Sequence, residues 1–435
     1  MENFIESSRL AEIYAALVNK HHGIISNLIE EHENPDARGL FVFNSLAIEA
    51  SYFRENCWSK QQEARNGSGA AFDRTTALWA TFGETLERYS AFIYDTERLV
   101  YATEEELNGT AVPLSDFILF GEEQYEDLEF PFFPANPNLK QYWIAADDCS
   151  EPGTKKYVPA TMIFLGLKLG NMQENIAQSA STGLSCGSNP EDTIRGGLCE
   201  VIERDAFSAM WQLKYAPPKL DIDDKVFAQL HPGVQAALQQ KRTQIHLWSI
   251  TTDTGIPVIM SMAENTVEGL LAFGSAANPD GVRAINKAVI EALHGLVWSH
   301  RVRNRGKPLP TLEQISNPTD HFSYYLDPAR RPLLHFLFEN PHRASTASFL
   351  TRPATVAEMT RHLASIGYRT YAVDVTTEDV HHLGLQVSRV IVPGLHPLLF
   401  GGRMISLDER RLRKIATHWG MSEFPATNPL PHPFP

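Results

Sequence analysis

The chain has 435 residues, of which 43% are hydrophobic and 21% are charged, and its formal net charge is −14. This composition is typical of a folded globular protein and excludes a disordered chain. The acidic balance argues against nucleic acid as a partner, because a nucleic-acid binder presents a basic surface. The length is compatible with about three domains or with one large α/β unit.

The cysteines and the apolar stretches indicate where the protein works. Its four cysteines form no C-x-x-C pair and do not suggest a disulfide framework. The N-terminal MENFIESSRL lacks the basic and apolar regions of a signal peptide. The apolar stretch YVPATMIFLGLKLG is too short for a membrane span and contains a lysine. We therefore expect a cytoplasmic protein that does not cross a membrane.

Helical and extended patterns alternate in the first half of the chain. Residues 1–33 are predicted to be helical, and NPDARGLFVFNSLAI predicts a turn followed by a strand. NGSGAAFD at 66–73 is predicted to be a loop, and a long helical pattern runs from Thr76 to Phe92. Residues 107–157 are rich in Pro, Asn, Asp and aromatic residues, which predicts an irregular insertion with short strands.

The second half continues the alternation. Residues 181–192 are predicted to be a loop leading into a helix, with Asn189 as N-cap and Pro190 in the first turn. IHLWSITTDTGIPVIMSMA predicts two strands around a turn, and DGVRAINKAVIEALHGLVWSHR predicts a long helix. TVAEMTRHLASIGYRTYAVDVT predicts a helix that stops at Gly367 before a strand, and LQVSRVIVPGL predicts another strand. The sequence thus predicts an α/β (α+β) fold.

The last eight residues, NPLPHPFP, place proline at positions 429, 431, 433 and 435. Proline at every second position excludes a helix and favours an extended, polyproline-like path. A disordered terminus is the alternative.

The pattern E-x-x-E-R occurs twice in apolar helical segments, as ETLER at 84–88 and EVIER at 200–204. Residues three apart share a helix face, and two neighbouring carboxylates repel unless a cation offsets them. A solvated face explains any single instance, but two instances suggest a shared oxygen-rich site. Mg²⁺ suits such a site and is usually held together with substrate phosphates. The four carboxylates are Glu84, Glu87, Glu200 and Glu203.

Two other motifs are weaker. GLSCG at 183–187 matches G-x-S-x-G, but the polar residues before it are not strand-like, which disfavours a serine hydrolase. The small residues from Ser181 to Ser188 favour a loop whose N–H groups approach an anion at a helix N-terminus, with an ordinary flexible loop as the alternative. NGSGAAF lacks the third glycine of a dinucleotide fingerprint.

The segments WATFGETLERYS and STGLSCGSNPEDTIRGGLCEVIERDA resemble the signatures of YcaO-domain proteins, which bind ATP without a Walker loop. The family pattern is S-x3-E-x2-E-R, then S-x6-E-x3-Q-x3-E-x2-E-R, then R-x3-E. The spacing is kept throughout, and the resemblance covers about residue 60 to the end. The matched positions are Ala80, Glu84, Glu87, Arg88, Ser185, Asp192, Gly196, Glu200, Glu203, Arg204, Lys287 and Glu291.

The resemblance implies a YcaO-type fold, with mixed sheets covered by helices and the two E-x-x-E-R helices framing an ATP site. It implies an N-terminal region at 1–60 for partner docking or sheet extension, and a catalytic domain at 61–435 with a proline-rich tail at 428–435. The four glutamates are the implied Mg²⁺ ligands. The implied ATP-binding residues are Ser185, Ser188, Asp192, Arg204, Lys287 and Glu291.

The chain departs from the family pattern at four positions. Ala80 replaces a serine, Asp192 a glutamate and Gly196 a glutamine, while Lys287 keeps the charge of an arginine without its planar fork. Because the four motif glutamates are intact, we expect an active site.

PLPHPFP, ending on Pro435, resembles the tail of family members that make azoline rings in ribosomal peptides. The resemblance implies an ATP-dependent cyclodehydratase. A Cys, Ser or Thr side chain of the precursor attacks the preceding carbonyl, whose oxygen is phosphorylated and leaves as phosphate. The implied catalytic residues are Arg204, which neutralises developing charge, and Pro435, which orients substrate or moves protons.

The implied partners are the precursor peptide and a separate E1-like protein that binds its leader. A flavin dehydrogenase that oxidises azolines and a homo-oligomer within the complex are also expected. One alternative is formation of a thioamide or a macrocyclic amidine, which the tail disfavours. A second is a non-catalytic nucleotide-binding scaffold, supported by Ala80, Gly196 and Lys287. A metal hydrolase is weaker, since no histidine accompanies the glutamates.

Overall fold

The computed structural model describes residues 2–49, 65–346, 355–402 and 404–434. The helices in these ranges are α1 (Glu2–Leu17), α2 (Arg74–Phe92), α3 (Glu122–Tyr125), α4 (Pro190–Gln212), α5 (Asp224–Gln229), α6 (Pro232–Gln239), α7 (Gly281–Asn304), α8 (Pro318–Tyr324), α9 (Val356–Ser365), α10 (Glu378–His382) and α11 (Glu409–His418). The strands are β1 (Ile25–Glu30), β2 (Phe41–Ala47), β3 (Asn66–Ala71), β4 (Leu99–Ala102), β5 (Gln141–Asp148), β6 (Lys155–Pro159), β7 (Leu184–Gly187), β8 (Lys219–Asp221), β9 (Thr243–Ser249), β10 (Val258–Asn265), β11 (Leu271–Ala277), β12 (Arg343–Ser345), β13 (Tyr371–Asp374) and β14 (Gln386–Ile391).

The strands form three sheets, in the orders β1-β2-β3, β11-β10-β9-β8-β12 and β4-β5-β13-β14-β7, with β6 paired to β5. All neighbouring strands are antiparallel except β8 and β12. Helix α2 packs on β3 and β7, α4 on β7 and β14, and α7 on β10 and β11. The predicted α+β class with mixed sheets and covering helices is confirmed.

The second motif helix begins as the sequence predicts, and the first begins two residues before the predicted Thr76, at Arg74. At the start of α4, the Asn189 side chain accepts a hydrogen bond from the Asp192 N–H at 3.0 Å, and Pro190 occupies the first turn. At the start of α2, Asp73 accepts from the Thr76 N–H at 2.8 Å. These caps satisfy N–H groups that a helix end leaves without partners.

Three element predictions differ from the structure. Residues 25–30 form β1 rather than the end of a helix, because they pair with β2. Residues 66–71 form β3 rather than a loop. The glycines there serve close packing: a Cβ on Gly69 would lie 2.6 Å from the Ala77 carbonyl oxygen and overlap the Thr81 backbone nitrogen. A glycine in a strand often marks such an approach of backbones.

The loop predicted at 181–192 also contains a strand, β7, which pairs with β14. The other predictions agree with the structure. The helix from Thr76 to Phe92, the hairpin of β9 and β10, and helix α7 are all present. Gly367 follows α9 with φ of +93°, a backbone angle that favours glycine.

Strands from both sides of residue 60 share the β1-β2-β3 sheet. The division into regions 1–60 and 61–435 stays a prediction. Within the described ranges, no helix is both long enough and apolar enough to cross a membrane.

Two glycine substitutions test the close packing of β3 on α2. We expect Gly69→Ala to lower the free energy of unfolding by about 2 kcal/mol, because its methyl group overlaps the backbone of α2. Gly83→Ala on α2 is the matched control, since its nearest neighbour would be 3.8 Å away. Urea denaturation compares the two, and equal midpoints would contradict the packing argument.

Candidate active site

The glutamates of the first motif are each held by a backbone N–H of a neighbouring strand. Glu84 Oε2 accepts from the Ser68 N–H in β3 at 2.6 Å. Glu87 Oε1 accepts from the Cys186 N–H in β7 at 2.8 Å. The two sheets thereby fix the orientation of both carboxylates on α2.

The second motif on α4 follows the same rule. Glu200 Oε2 accepts from the Gly183 N–H at 3.0 Å, and Glu203 Oε2 from the Ala277 N–H at 3.4 Å. Gly183 has φ of +86°, and a Cβ there would collide with the Val390 carbonyl oxygen. A glycine is therefore needed at the position that anchors Glu200.

The motif arginines lie against the other carboxylate oxygens. Arg88 donates to Glu84 Oε1 at 2.8 Å. Arg204 lies 3.6 Å from Glu200 Oε1 and 3.8 Å from Glu203 Oε1. The cation between Glu200 and Glu203 partly offsets the repulsion that the sequence raised.

The third motif on α7 brings a further cation and carboxylate to the acidic cleft, the region around Glu84, Glu87, Glu200 and Glu203. Glu291 Oε2 accepts from the Ser275 N–H in β11 at 2.9 Å. Lys287 is exposed to solvent on α7. Desolvation by the groups beside it lowers its pKa, but the charges of Glu203 and Glu291 outweigh this effect and raise it. The three motifs, which are far apart in sequence, therefore share one electrostatic environment.

The pKa values show that the repulsion is not fully offset. Burial, followed by the charge of Glu200, raises the pKa of Glu87 to about 8. Burial, followed by the charge of Glu203, raises the pKa of Glu291 to about 7. Burial also raises the pKa of Glu203, which is only 2% exposed, against the opposing effect of Arg204. The cleft therefore favours additional positive charge.

The glutamates do not form a metal cluster by themselves. Among the described residues, no three His, Cys, Asp or Glu side chains are arranged to hold a metal ion. Mg²⁺ is usually bound by one or two carboxylates together with water and substrate phosphates. Each glutamate here has one carboxylate oxygen held by a backbone N–H. This arrangement fits an Mg²⁺ ion bound jointly by protein and phosphate better than an ion bound by protein side chains alone.

The remaining predicted ATP-binding residues lie in two places, one near the glutamates and one at the start of α4. Ser185 lies in β7, beside the anchor of Glu87, and a Cβ on Gly196 would collide with its hydroxyl. Ser188 and Asp192 are exposed at the start of α4. Asp192 Oδ2 accepts from the Asn189 side-chain amide at 2.7 Å. At about 1.5 Å per residue, Asp192 lies about 12 Å along the helix from Glu200.

From residue 428 to 434, the proline-rich tail forms neither helix nor strand, and its side chains at 431–434 are buried in the protein. The hydroxyl of Tyr325 donates to the Pro431 carbonyl at 2.6 Å, and the indole N–H of Trp211 donates to the Leu430 carbonyl at 2.8 Å. The guanidinium of Arg204 lies 4.2 Å from the centre of the Phe434 ring. The tail thus reaches the motif arginine, whereas Pro435 lies outside the described residues.

Sequence reasoning missed Arg389 on β14, which is only 6% exposed. Within the described part of the chain, its Nε and Nη1 atoms are buried without a hydrogen-bond partner. Burial lowers its pKa to about 10, and the charge of Glu200 acts in the opposite direction. The sequence feature that could have indicated a functional role was a single arginine within the apolar run VSRVIV.

The sequence also missed the ion pair that supports α4 next to Arg204. Arg411 on α11 donates to both carboxylate oxygens of Asp205 at 2.9 and 2.6 Å. Both side chains are fully buried, and Arg411 also pairs with Asp253 at 2.7 Å. This contact joins the second motif helix to the helix that precedes the tail.

Comparison with known proteins identifies the family. The family model for YcaO cyclodehydratases, described as ATP- and Mg²⁺-binding, matches residues 66–396. The chain belongs to the YcaO family. This match includes all three acidic motifs.

Curated relatives carry no established activity. The chain is 28% identical over 286 residues to an uncharacterized protein in the tfuA 3′ region of Rhizobium leguminosarum bv. trifolii, covering 60% of this chain and 63% of that protein. It is 26% identical over 405 residues to an uncharacterized protein of Methanothermobacter thermautotrophicus, covering 90% of this chain and 94% of that one.

Solved YcaO structures share the fold. A heterocyclase in complex with substrate and cofactor superposes with a TM-score of 0.81 at 20% identity, covering 99% of this chain and 57% of that one. YcaO from Methanopyrus kandleri, bound with AMPPCP and Mg²⁺, gives a TM-score of 0.61 at 19% identity, covering 90% and 91%. The chain thus spans little more than half of the first heterocyclase and less than two thirds of the Rhizobium relative.

The raised pKa of Glu87 predicts a pH-dependent stability of the ligand-free protein. Its folded pKa of about 8 exceeds the ordinary value of 4.5, so between these values the folded state binds more protons than the unfolded state. Stability should therefore fall as pH rises through this window. Glu87→Gln should remove part of this loss, which urea midpoints at pH 5 and pH 8 measure.

Glu191→Gln is the control, because it removes an exposed carboxylate at the start of α4. If Glu87→Gln changed the midpoint by the same amount at both pH values, the assignment of the raised pKa to Glu87 would be wrong.

Proposed function

We propose that the protein is an ATP-dependent cyclodehydratase subunit. Its substrates would be Cys, Ser or Thr residues of a ribosomally made precursor peptide, which it converts to thiazolines or oxazolines. The observation that carries the proposal is that the packed tail reaches Arg204 beside the acidic motifs. Acidic motifs suited to ATP and Mg²⁺ that lie next to a packed segment of chain are well placed for chemistry on a peptide.

The residues present fit ATP with Mg²⁺. Burial raises the pKa values of Glu87 and Glu291, and neighbouring carboxylates raise them further, so a bound cation would stabilise the charged forms of both. Two of the motif cations, Arg204 and Lys287, suit phosphate oxygens. When bound, ATP and Mg²⁺ would supply the phosphoryl group that turns the amide oxygen into a leaving group. We assign Mg²⁺ binding to Glu84, Glu87, Glu200 and Glu203.

The nucleotide-binding roles follow from position. Lys287 and Glu291 lie in the same cleft as the metal-binding glutamates. Ser188 and Asp192, about 12 Å along α4, would contact a different part of the nucleotide from the one near Glu200. Their contribution should appear in nucleotide affinity rather than in the chemical step.

Arg204 is the residue best placed to act on the reacting atoms. It lies between Glu200 and Glu203, and its position is supported by the fully buried pair of Asp205 with Arg411 on the other side of α4. A preorganised guanidinium stabilises negative charge as it develops on the amide oxygen. The role predicted for Pro435 stays a prediction.

The proposed cyclodehydratase activity also implies partners. We expect a precursor peptide, an E1-like leader-binding protein on a separate chain, and a flavin dehydrogenase that oxidises the rings. A homo-oligomer within the complex is also expected. A structural neighbour, the E. coli microcin synthetase McbBCD complex with pro-MccB17 bound, is itself a multi-chain assembly, with a TM-score of 0.58 at 14% identity.

Ring formation tests the activity. With its partner, the protein should remove one water per ring from a precursor encoded near its gene, and only when ATP is present. Mass spectrometry detects the loss. Glu203→Gln should lower the rate by at least about 100-fold, since it removes a proposed ligand of the Mg²⁺ that neutralises the phosphate charge. Full activity of this variant would refute the metal-ligand assignment, while Glu191→Gln on the same helix should leave the rate unchanged.

Ligand-dependent stability tests nucleotide binding without turnover. Mg²⁺ with a non-hydrolysable ATP analogue should raise the unfolding temperature by about 3 °C at 100 times the dissociation constant. Glu203→Gln should lose most of this shift. If binding is normal but a precursor and its partner never stimulate ATP hydrolysis, the protein is a nucleotide-binding scaffold instead.

A further inference from the structure

A cavity of about 130 Å³ lies beside β14 and the loop that follows it. Its walls come from residues 117–120 and 389–399, together with Met162, Ala177, Gln178, Ala180, Thr182 and Val201. Most of these side chains are apolar or aromatic. Such a pocket suits an apolar group and needs only a few polar contacts to orient it.

The side chain of Arg389 forms part of this wall. Two of its nitrogen atoms, Nε and Nη1, are buried without a hydrogen-bond partner in the described structure. Of the other polar wall groups, the Gln178 amide is already used: it donates to the Phe400 carbonyl at 2.6 Å and accepts from its N–H at 2.8 Å. The Nε2 atom of His396, which also lines the cavity, is buried without a partner in the described structure as well. Burying an unpaired guanidinium is costly. A ligand with a hydrogen-bond acceptor would remove that cost.

The cavity adjoins the acidic cleft. Val201 follows Glu200 on α4, and Thr182 precedes Gly183, whose N–H holds Glu200. The charge of Glu200 also acts on Arg389. A group bound in the cavity would therefore lie next to the predicted metal ligands, on the side formed by β14.

We propose that this cavity binds the apolar side chain of the precursor residue immediately before the cyclised residue, and that Arg389 donates to a backbone carbonyl oxygen of the same segment. The inference rests on the proposed function. The amide oxygen that is phosphorylated belongs to that preceding residue, so its side chain is bound close to the site of phosphorylation. An apolar cavity that opens beside Glu200 is where this side chain can be placed.

A nucleotide phosphate is a poorer occupant. A triphosphate carries several negative charges, and apolar walls do not hydrate or neutralise them. The single cation in the wall, Arg389, suits a neutral carbonyl, which accepts one or two hydrogen bonds without bringing net charge. The apolar walls then contribute through burial of the neighbouring side chain.

Binding of short peptides tests this assignment. The probes are acetylated tetrapeptide amides Gly-X-Cys-Gly, with X as Leu, Phe, Gly or Asp, titrated calorimetrically into the full chain with Mg²⁺ and a non-hydrolysable ATP analogue. The wild type should bind X = Leu at least about tenfold more tightly than X = Gly. Arg389→Met should weaken binding of the Leu peptide by about tenfold and leave the affinity for the ATP analogue within twofold.

Ala180→Leu provides a second variant that keeps Arg389. Because Ala180 lines the cavity, the larger side chain should reverse the preference, so that X = Gly binds better than X = Phe. A difference of less than twofold among the peptides in the wild type would overturn the proposal. So would an Arg389→Met variant whose affinity for the ATP analogue falls as much as its affinity for peptide, which would make Arg389 a phosphate ligand. Absence of ring formation despite these binding results would count against the proposed function alone.

Discussion

The repulsion between buried carboxylates is the constraint on which the arrangement of this protein depends. Glu84, Glu87, Glu200 and Glu203 lie on two helices that both pack against β7. Each accepts a hydrogen bond from a backbone N–H of β3, β7, β11 or the turn before β7. These N–H groups hold the carboxylates in place without adding net charge. Burial, followed by the charge of Glu200, raises the pKa of Glu87 to about 8, although the hydrogen bond from the Cys186 N–H lowers it.

The same constraint explains why the surrounding elements are built with unusually close contacts. Gly69 lets β3 approach α2, and Gly183 supplies both a left-handed turn and the N–H that binds Glu200. On the far side of α4, the buried pair of Asp205 and Arg411 connects the motif helix to α11. Replacing a single partner of such a pair leaves an uncompensated charge, so the pair fixes α4 and the segment leading to the tail in one arrangement.

The sequence predicted the parts of the structure that depend on local pattern. The cap at Asn189, helix α7 and the hairpin of β9 and β10 all follow from residue spacing and turn chemistry. It failed at β3, because glycines that permit tight packing look like loop residues when the packing partner is unknown. The spacing of the E-x-x-E-R motifs indicated a shared site, but the backbone anchors and Arg389 come from distant segments. Such contacts depend on tertiary packing, which no local pattern encodes.

We propose that the two motif pairs hold divalent cations only together with a nucleotide. A crystal structure of the protein with AMPPCP and Mn²⁺, recorded at the manganese absorption edge, tests this directly. We expect anomalous peaks between the carboxylates of α2 and α4, in contact with nucleotide phosphate oxygens, and none there when AMPPCP is omitted. Bound AMPPCP with manganese located away from these four glutamates would contradict it.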